Sequence, residues 1–143
     1  MKKLKIFLIV SPILFIGLIV LGSFLQTNYK DGSYTGRSRS HYTSEPFVGE
    51  VKIDIKGGEI TKIKFAKLDT AKKEVFDEKY EKYFANNPLY VDQCRKDYKG
   101  VQMYPGKLLE SQHIEKVDAV SGATWSYNIF KASVNEALKN AKK

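Results

Sequence analysis

The chain has 143 residues, 43% of them hydrophobic, and a formal charge of +8, which leaves room for one domain. Its single cysteine, Cys94, rules out an internal disulfide and a C-x-x-C pair; a small buried thiol is the reading that fits an exported domain. The charges are interspersed and read as a solvated surface, leaving open an attraction to an anionic cell surface, an acidic partner or an anionic cofactor.

Met1 to Lys5 is basic, and Ile6 to Leu25 then runs "IFLIVSPILFIGLIVLGSFL" without a charge. About 20 apolar residues cross a bilayer as a helix, and Pro12 and Gly17 are tolerated there. A cleaved signal peptide is the competing reading, but its apolar region spans roughly 7–15 residues, and Gly22 to Gln26 makes a poor cleavage site. No cysteine ends the run, so a lipoprotein anchor is excluded. Residues 1–25 are therefore read as an uncleaved transmembrane anchor. Lys2, Lys3 and Lys5 keep its start in the cytoplasm. Residues 26–30 read as a polar neck, and residues 31–143 as one domain on the extracytoplasmic side. Beyond the three N-terminal lysines stand 21 basic and 16 acidic residues, a net +5. The exterior location disfavours nucleic acid as a partner.

Asp31 to Gly36 reads as the beginning of a first strand, with turn residues around Tyr34. Arg37 to Glu45 is polar, a loop or an edge strand, and Pro46 allows a strand to follow. Val48 to Lys56 alternates: Val51, Ile53 and Ile55 point one way, and Lys52, Asp54 and Lys56 the other. Gly57-Gly58 supplies the positive φ of a two-residue hairpin. Glu59 to Ala66 returns with Thr61, Ile63 and Phe65 on one face. Thr70 to Ala85 changes period. Phe76, Tyr80, Tyr83 and Phe84 fall at i, i+4, i+7 and i+8 and predict an amphipathic helix, ended by Asn86-Asn87-Pro88. Leu89 to Gly106, broken by Gly100 and Pro105, predicts a helical turn and loops, with Tyr90, Tyr98 and Tyr104 read as core or hairpin packing. Lys107 to Ile114 predicts a short helix with Leu108 and Leu109 inward, and Lys116 to Val120 a brief buried strand. Ser126 to Lys142 is the last helix. Its apolar stripe is Phe130, Val134, Ala137, Leu138 and Ala141, and lysines fill its final turns, as the helix dipole favours.

Strands come first and helices dominate later, which predicts an α+β domain of antiparallel strands with packed helices. No G-x-G-x-x-G follows a strand, so a dinucleotide-binding crossover has no support. His41 and His113 have no ligand-like spacing with each other or with Cys94, and no metal site is predicted.

The stretch with chemical content is "DAVSGATWSYN", Asp118 to Asn128. A helix start carries unpaired N–H groups and a partial positive charge. Ser121, Thr124 and Ser126 add hydroxyls, and Gly122 lets the backbone approach closely, so a phosphate is well accommodated. The same residues also suit a plain N-cap at Thr124 or Ser126 with Asp118 closing a strand. Local chemistry alone leaves both open.

Asp118-Ala119-Val120-Ser121-Gly122-Ala123-Thr124 resembles the D-x-x-[ST]-G-A-[TS] motif of the FMN-binding domain family. That family occurs in subunits of the sodium-pumping NADH:quinone reductase, in Rnf electron-transport complexes and in extracellular flavoproteins. Lys30 to Gly36, the hairpin Gly49 to Ala66 and the helix "NIFKASVNEAL" are similar too, so the resemblance covers most of Lys30 to Leu138. It implies FMN esterified through its phosphate to Thr124. Asp118, Ser121, Gly122 and Ala123 are then the signature read by a flavin transferase that takes FMN from FAD, with Asp118 positioning metal or substrate in that reaction. It implies an electron carrier rather than an enzyme, passing electrons from a membrane donor to an extracytoplasmic acceptor. Trp125 either packs on the flavin ring or is a core aromatic. The Tyr-rich region Asp69 to Tyr104 departs from the better-known subunits and leaves the ring contacts unassigned. Two other readings stay open: FMN held without a bond, and a flavin-free surface module whose aromatic loops contact a protein or polymer.

Overall fold

The computed structural model describes residues 29–39 and 44–142. The expected transmembrane anchor, most of the neck and His41 lie outside the described residues. Among the described residues no helix is long and apolar enough to cross a membrane.

Four strands form one antiparallel sheet in chain order: β1 (Gly32–Ser38), β2 (Phe47–Lys56), β3 (Glu59–Asp69) and the two-residue β4 (Glu74–Val75). The β2–β3 hairpin forms as its alternation predicts. Gly57 and Gly58 take φ of 64° and 79°, the left-handed values that glycine adopts without penalty. Asp31 holds this turn from outside: its carboxylate accepts from the Gly57 and Gly58 N–H groups at 2.9 and 3.0 Å. Val51, Ile53 and Ile55 are buried on the inner face.

On β3 the inner face differs from the expected one. The register shifts at Asp54/Ile55, where Asp54 pairs with Lys62 and Ile55 with Ile60. The extra residue, Thr61, is a bulge that turns outward, and Ile60 is buried in its place. One inserted residue exchanges the faces of a strand locally. Beyond the bulge, Ile63, Phe65, Lys67 and Asp69 follow one another on the inner side, opposite Ile53, Val51, Gly49 and Phe47.

Thr70 to Ala85 is not the amphipathic α-helix its spacing predicts. The Asp69 carboxylate accepts from the N–H groups of Ala71 and Lys72, which closes a turn. Glu74–Val75 then pairs with β3. Asp77 caps a 3-10 helix, Glu78–Phe84, by accepting from the Lys79 N–H. Short acidic side chains that bond nearby backbone compete with helix formation. Phe76 and Tyr80 are buried, while Tyr83 faces solvent.

Asn87-Pro88 begins a helix instead of ending one. Asn87 is the N-cap, with Pro88 in the first turn of α1 (Pro88–Ser111), where the missing proline N–H costs nothing. This single 24-residue helix replaces the expected turn, loops and short helix. Gly100 and Pro105 lie inside it, because Cys94, Val101, Tyr104 and Leu108 make a continuous buried stripe. Burying each large apolar side chain stabilises by about 1.5–3 kcal/mol, enough in sum to carry a proline. Lys116 to Val120 is not a strand: a 3-10 turn, Ile114–Lys116, leads into irregular backbone. The last helix, α2 (Thr124–Lys139), begins two residues earlier than the expected Ser126 and ends three residues before Lys142.

Both helices cover one face of the sheet. The core joins Val51, Ile53 and Ile63 to Tyr104, Leu108, Phe130 and Val134. Two glycines let α2 lie directly on the strands. A Cβ at Gly36 would stand 2.1 Å from the Ser133 carbonyl, and one at Gly49 2.3 Å from the Ser133 hydroxyl. The fold reaches back to Tyr29, two residues before Asp31: Tyr29 is buried and bridges to Lys142, and the Lys30 N–H donates to the Ala141 carbonyl.

Candidate functional site

A cleft of about 630 Å³ opens between the aromatic end of the sheet and the first turns of both helices. That volume lies within the roughly 300–1,000 Å³ usual for small-molecule sites. Phe47, Phe76, Tyr80 and Phe84 form one wall, and Tyr90 from α1 and Trp125 from α2 stand at its edges. Phe47, Phe76 and Tyr80 meet edge-on or tilted, with ring centroids 4.9–5.9 Å apart, a geometry that aromatic quadrupoles favour.

The motif turn is placed by α1. Gly100 stands so close to Ala123 that a Cβ on it would lie 2.2 Å from the Ala123 Cβ. The Tyr104 hydroxyl donates to the Ala123 carbonyl at 2.8 Å and accepts from the Val120 N–H at 3.2 Å. Gln93 Nε2 donates to the Gly122 carbonyl at 2.7 Å. Gly122 has a φ of 82°, and a Cβ there would meet Lys96; glycine is required on both counts. Burial pushes the Tyr104 hydroxyl above its ordinary pKa, so it remains a donor.

The structure separates the predicted residues into two groups. Gly122, Thr124 and Trp125 line the cleft. Thr124 is exposed and is the first residue of α2. Trp125 is 60% exposed and so is not a core aromatic. Ala123 is buried against α1, and Asp118 and Ser121 are exposed outside the cleft lining. Neither Thr124 nor Ser126 is the N-cap: Ala123 holds that position, and no side chain caps the helix. The first N–H groups of such a helix have no partner within it and suit an anion.

The floor of the cleft holds residues that the sequence reading did not single out. Lys67 is 4% exposed. Its ammonium donates to Asp97 Oδ2 at 2.6 Å and to Ser126 Oγ at 2.8 Å. It also stands 3.8 Å from the Phe76 ring centroid and 4.5 Å from that of Phe47, close enough for cation–π attraction. Asp97 Oδ1 is buried with no hydrogen-bond partner among the described residues. The signal for Lys67 was present: strict alternation from Ile63 and Phe65 puts position 67 inside. Asp97 sits three residues after Cys94 and four before Val101, within the apolar stripe of α1. Gly100 and Pro105 interrupt that stripe in the sequence and hide its period.

Cys94 also faces the cleft. Burial, reinforced by the Asp97 charge, raises its pKa, so it stays a neutral thiol. Behind the aromatic wall, Tyr80 donates to Asp69 Oδ2 at 2.5 Å. Burial alone would raise the Asp69 pKa. The Tyr80 hydroxyl, the N–H groups of Lys72 and Ala71 and the Lys72 ammonium outweigh it and hold the carboxyl below its usual range. No cluster of three or more His, Cys, Asp or Glu is placed to hold a metal among the described residues.

The sequence profile of a family described as FMN-binding domain matches residues 43–139. A crystal structure of a Clostridium perfringens protein superposes with a TM-score of 0.60 at 23% identity, covering 79% of this chain and 88% of that one; it shares the fold. A solution structure of a Clostridium thermocellum protein gives a TM-score of 0.43 at 21% identity over 80% of this chain and 93% of that one. No curated protein matches the chain.

Proposed function

This chain belongs to the FMN-binding domain family, whose cofactor is FMN, and from that premise we propose that it is a membrane-tethered, extracytoplasmic electron carrier with FMN bonded through its phosphate to Thr124. The observation that carries the reading is the position of Thr124: exposed, at the uncapped start of α2, on the rim of an aromatic cleft. The residues fit the group. The cleft has walls for a flat tricyclic ring, and the helix start suits a phosphodiester that keeps one negative charge.

Attachment needs an outside enzyme and an FAD donor. The Thr124 hydroxyl oxygen attacks the phosphorus that carries the riboflavin, and the new O–P bond replaces the pyrophosphate O–P bond. AMP leaves with that electron pair, and the hydroxyl proton passes to a base on the transferase. Gly122 and Ser121 present little bulk beside the exposed Thr124, which lets such an enzyme close over position 124. Once bound, the flavin supplies one- or two-electron chemistry. This chain's residues bind it, wall it off from water and set its surroundings. A covalent bond keeps the cofactor where no cytoplasmic pool can replace it.

The tether rests on the uncharged run Ile6 to Leu25 and the lysines before it. The test of the whole reading is the full chain produced together with a flavin transferase. Its mass should rise by one FMN less a water, and the denatured protein should fluoresce in a gel under ultraviolet light. Thr124→Ala should lose both signals. A folded wild type without the added mass would overturn the covalent bond; flavin that departs on boiling in denaturant would assign non-covalent binding instead.

A further inference from the structure

We propose that Lys67 sets the reduction potential of the bound flavin, its ammonium acting as a fixed positive charge at the cleft floor and Asp97 as the counter-charge that moderates it. The inference rests on FMN occupying this cleft, as in the function proposed above.

Position 67 is an inward slot of β3, next to Phe47 and Phe76. A buried ion pair is a poor source of stability, because desolvation offsets most of the attraction; apolar replacements are often neutral or better. Here the pair is also incomplete, since one oxygen of Asp97 has no partner among the described residues. An unpaired buried acceptor is itself destabilising. Folding alone therefore gives little reason for a lysine and an aspartate at this spot, and buried charge in a cleft points to function.

Reducing an isoalloxazine ring adds electron density to it. A cation held close by, in surroundings poor in water, stabilises that added charge far more than it would in bulk solvent. Charges beside the ring are a principal lever by which a protein tunes a flavin. Lys67 is held in place by Asp97, Ser126 and two aromatic faces, so its charge does not have to reorganise. Among the described residues, the other charged residue lining the cleft, Glu45, is exposed at the rim, where solvent and salt screen it.

The two members of the pair must then act with opposite sign. Removing the cation in Lys67→Met lowers the potential. Removing the counter-charge in Asp97→Asn leaves the cation uncompensated and raises it. Lys67→Arg keeps the charge and stays near wild type. The experiment uses the full chain loaded with FMN and equilibrated against reference dyes. At fixed dye potential, the ratio of reduced to oxidised flavin should fall at least tenfold in Lys67→Met and rise at least tenfold in Asp97→Asn. Tenfold is about 30 mV for a two-electron couple. Shifts of one sign in both variants, or changes under threefold with flavin loading intact, overturn the proposal. If Lys67→Met does not fold, the sign in Asp97→Asn decides alone. Flavin content is read on the same samples by absorbance. A wild type without flavin refutes the functional reading, whereas loaded protein with unmoved potentials refutes only the role of Lys67.

Discussion

Gly100 and Gly106 lie in the same helix, six residues apart, and the same substitution should act on them with opposite sign. At Gly100 the new methyl would stand 2.2 Å from the Ala123 Cβ, and ordinary contact begins near 3.4 Å, so the two backbones must part by about 1.2 Å. Alanine's methyl has no rotamer by which to escape. Overpacking costs about 1–3 kcal/mol, and an overlap this deep belongs at the top of that range. Replacing a helix-interior glycine by alanine returns about 1 kcal/mol. Gly100→Ala should therefore destabilise by about 2 kcal/mol. At Gly106 an added Cβ meets nothing within 4 Å, and only the favourable contribution of about 1 kcal/mol remains. The variants should differ by about 3 kcal/mol, or about 2 M in urea midpoint for a slope of about 1.5 kcal/mol/M. Because Ala123 immediately precedes Thr124, Gly100→Ala should also reduce flavin attachment, read as fluorescence per denatured chain. A Gly100→Ala protein as stable as Gly106→Ala would refute the claim that α1 seats the motif turn by close contact.

Tyr104→Phe removes the bond to the Ala123 carbonyl and leaves the Val120 N–H without its acceptor. It should cost about 1–3 kcal/mol in chemical denaturation and slow flavin attachment. Asp69 has a lowered folded pKa, so its stabilisation is present above the unfolded value of about 3.9 and is lost as pH falls through the lower folded value. Asp69→Asn should be less stable than wild type at pH 7, and the difference should shrink below about pH 4, as urea midpoints across pH will show. Trp125→Ala, at a largely exposed side chain, should leave stability within about 0.5 kcal/mol. In the loaded protein it should brighten native flavin fluorescence, which an aromatic ring stacked on the flavin quenches.

Alternation with an intervening Gly-Gly specifies a hairpin locally, so β2, β3 and their turn were legible without the structure. The last helix was legible because its stripe is uninterrupted. The middle of the chain was not. Gly100 and Pro105 are penalties in an isolated helix, and only the tertiary contacts of Val101, Tyr104 and Leu108 override them. The spacing of Phe76, Tyr80 and Tyr83 is helical, yet Asp69 and Asp77 divert the backbone by bonding their neighbours' N–H groups. The bulge at Thr61 leaves no mark in the sequence, because its neighbours alternate acceptably either way. In the site, motif chemistry pointed to Gly122 and Thr124, which line the cleft, and to Asp118, Ser121 and Ala123, which do not. Lys67 and Asp97 come from elements 30 residues apart in sequence, and their pairing required the sheet and α1 to be assembled.

Tyr29 and Lys30 are fastened to Ala141 and Lys142, just past the far end of α2. Thr124 begins that helix, and its 16 residues at 1.5 Å each span about 24 Å. The chain thus comes in at one pole of the domain while position 124 stands at the other. Under the tether proposed above, an electron donor at the lipid surface has the length of α2 between itself and the cleft. On that proposal, electrons reach the flavin at the pole that Thr124 occupies, away from Tyr29.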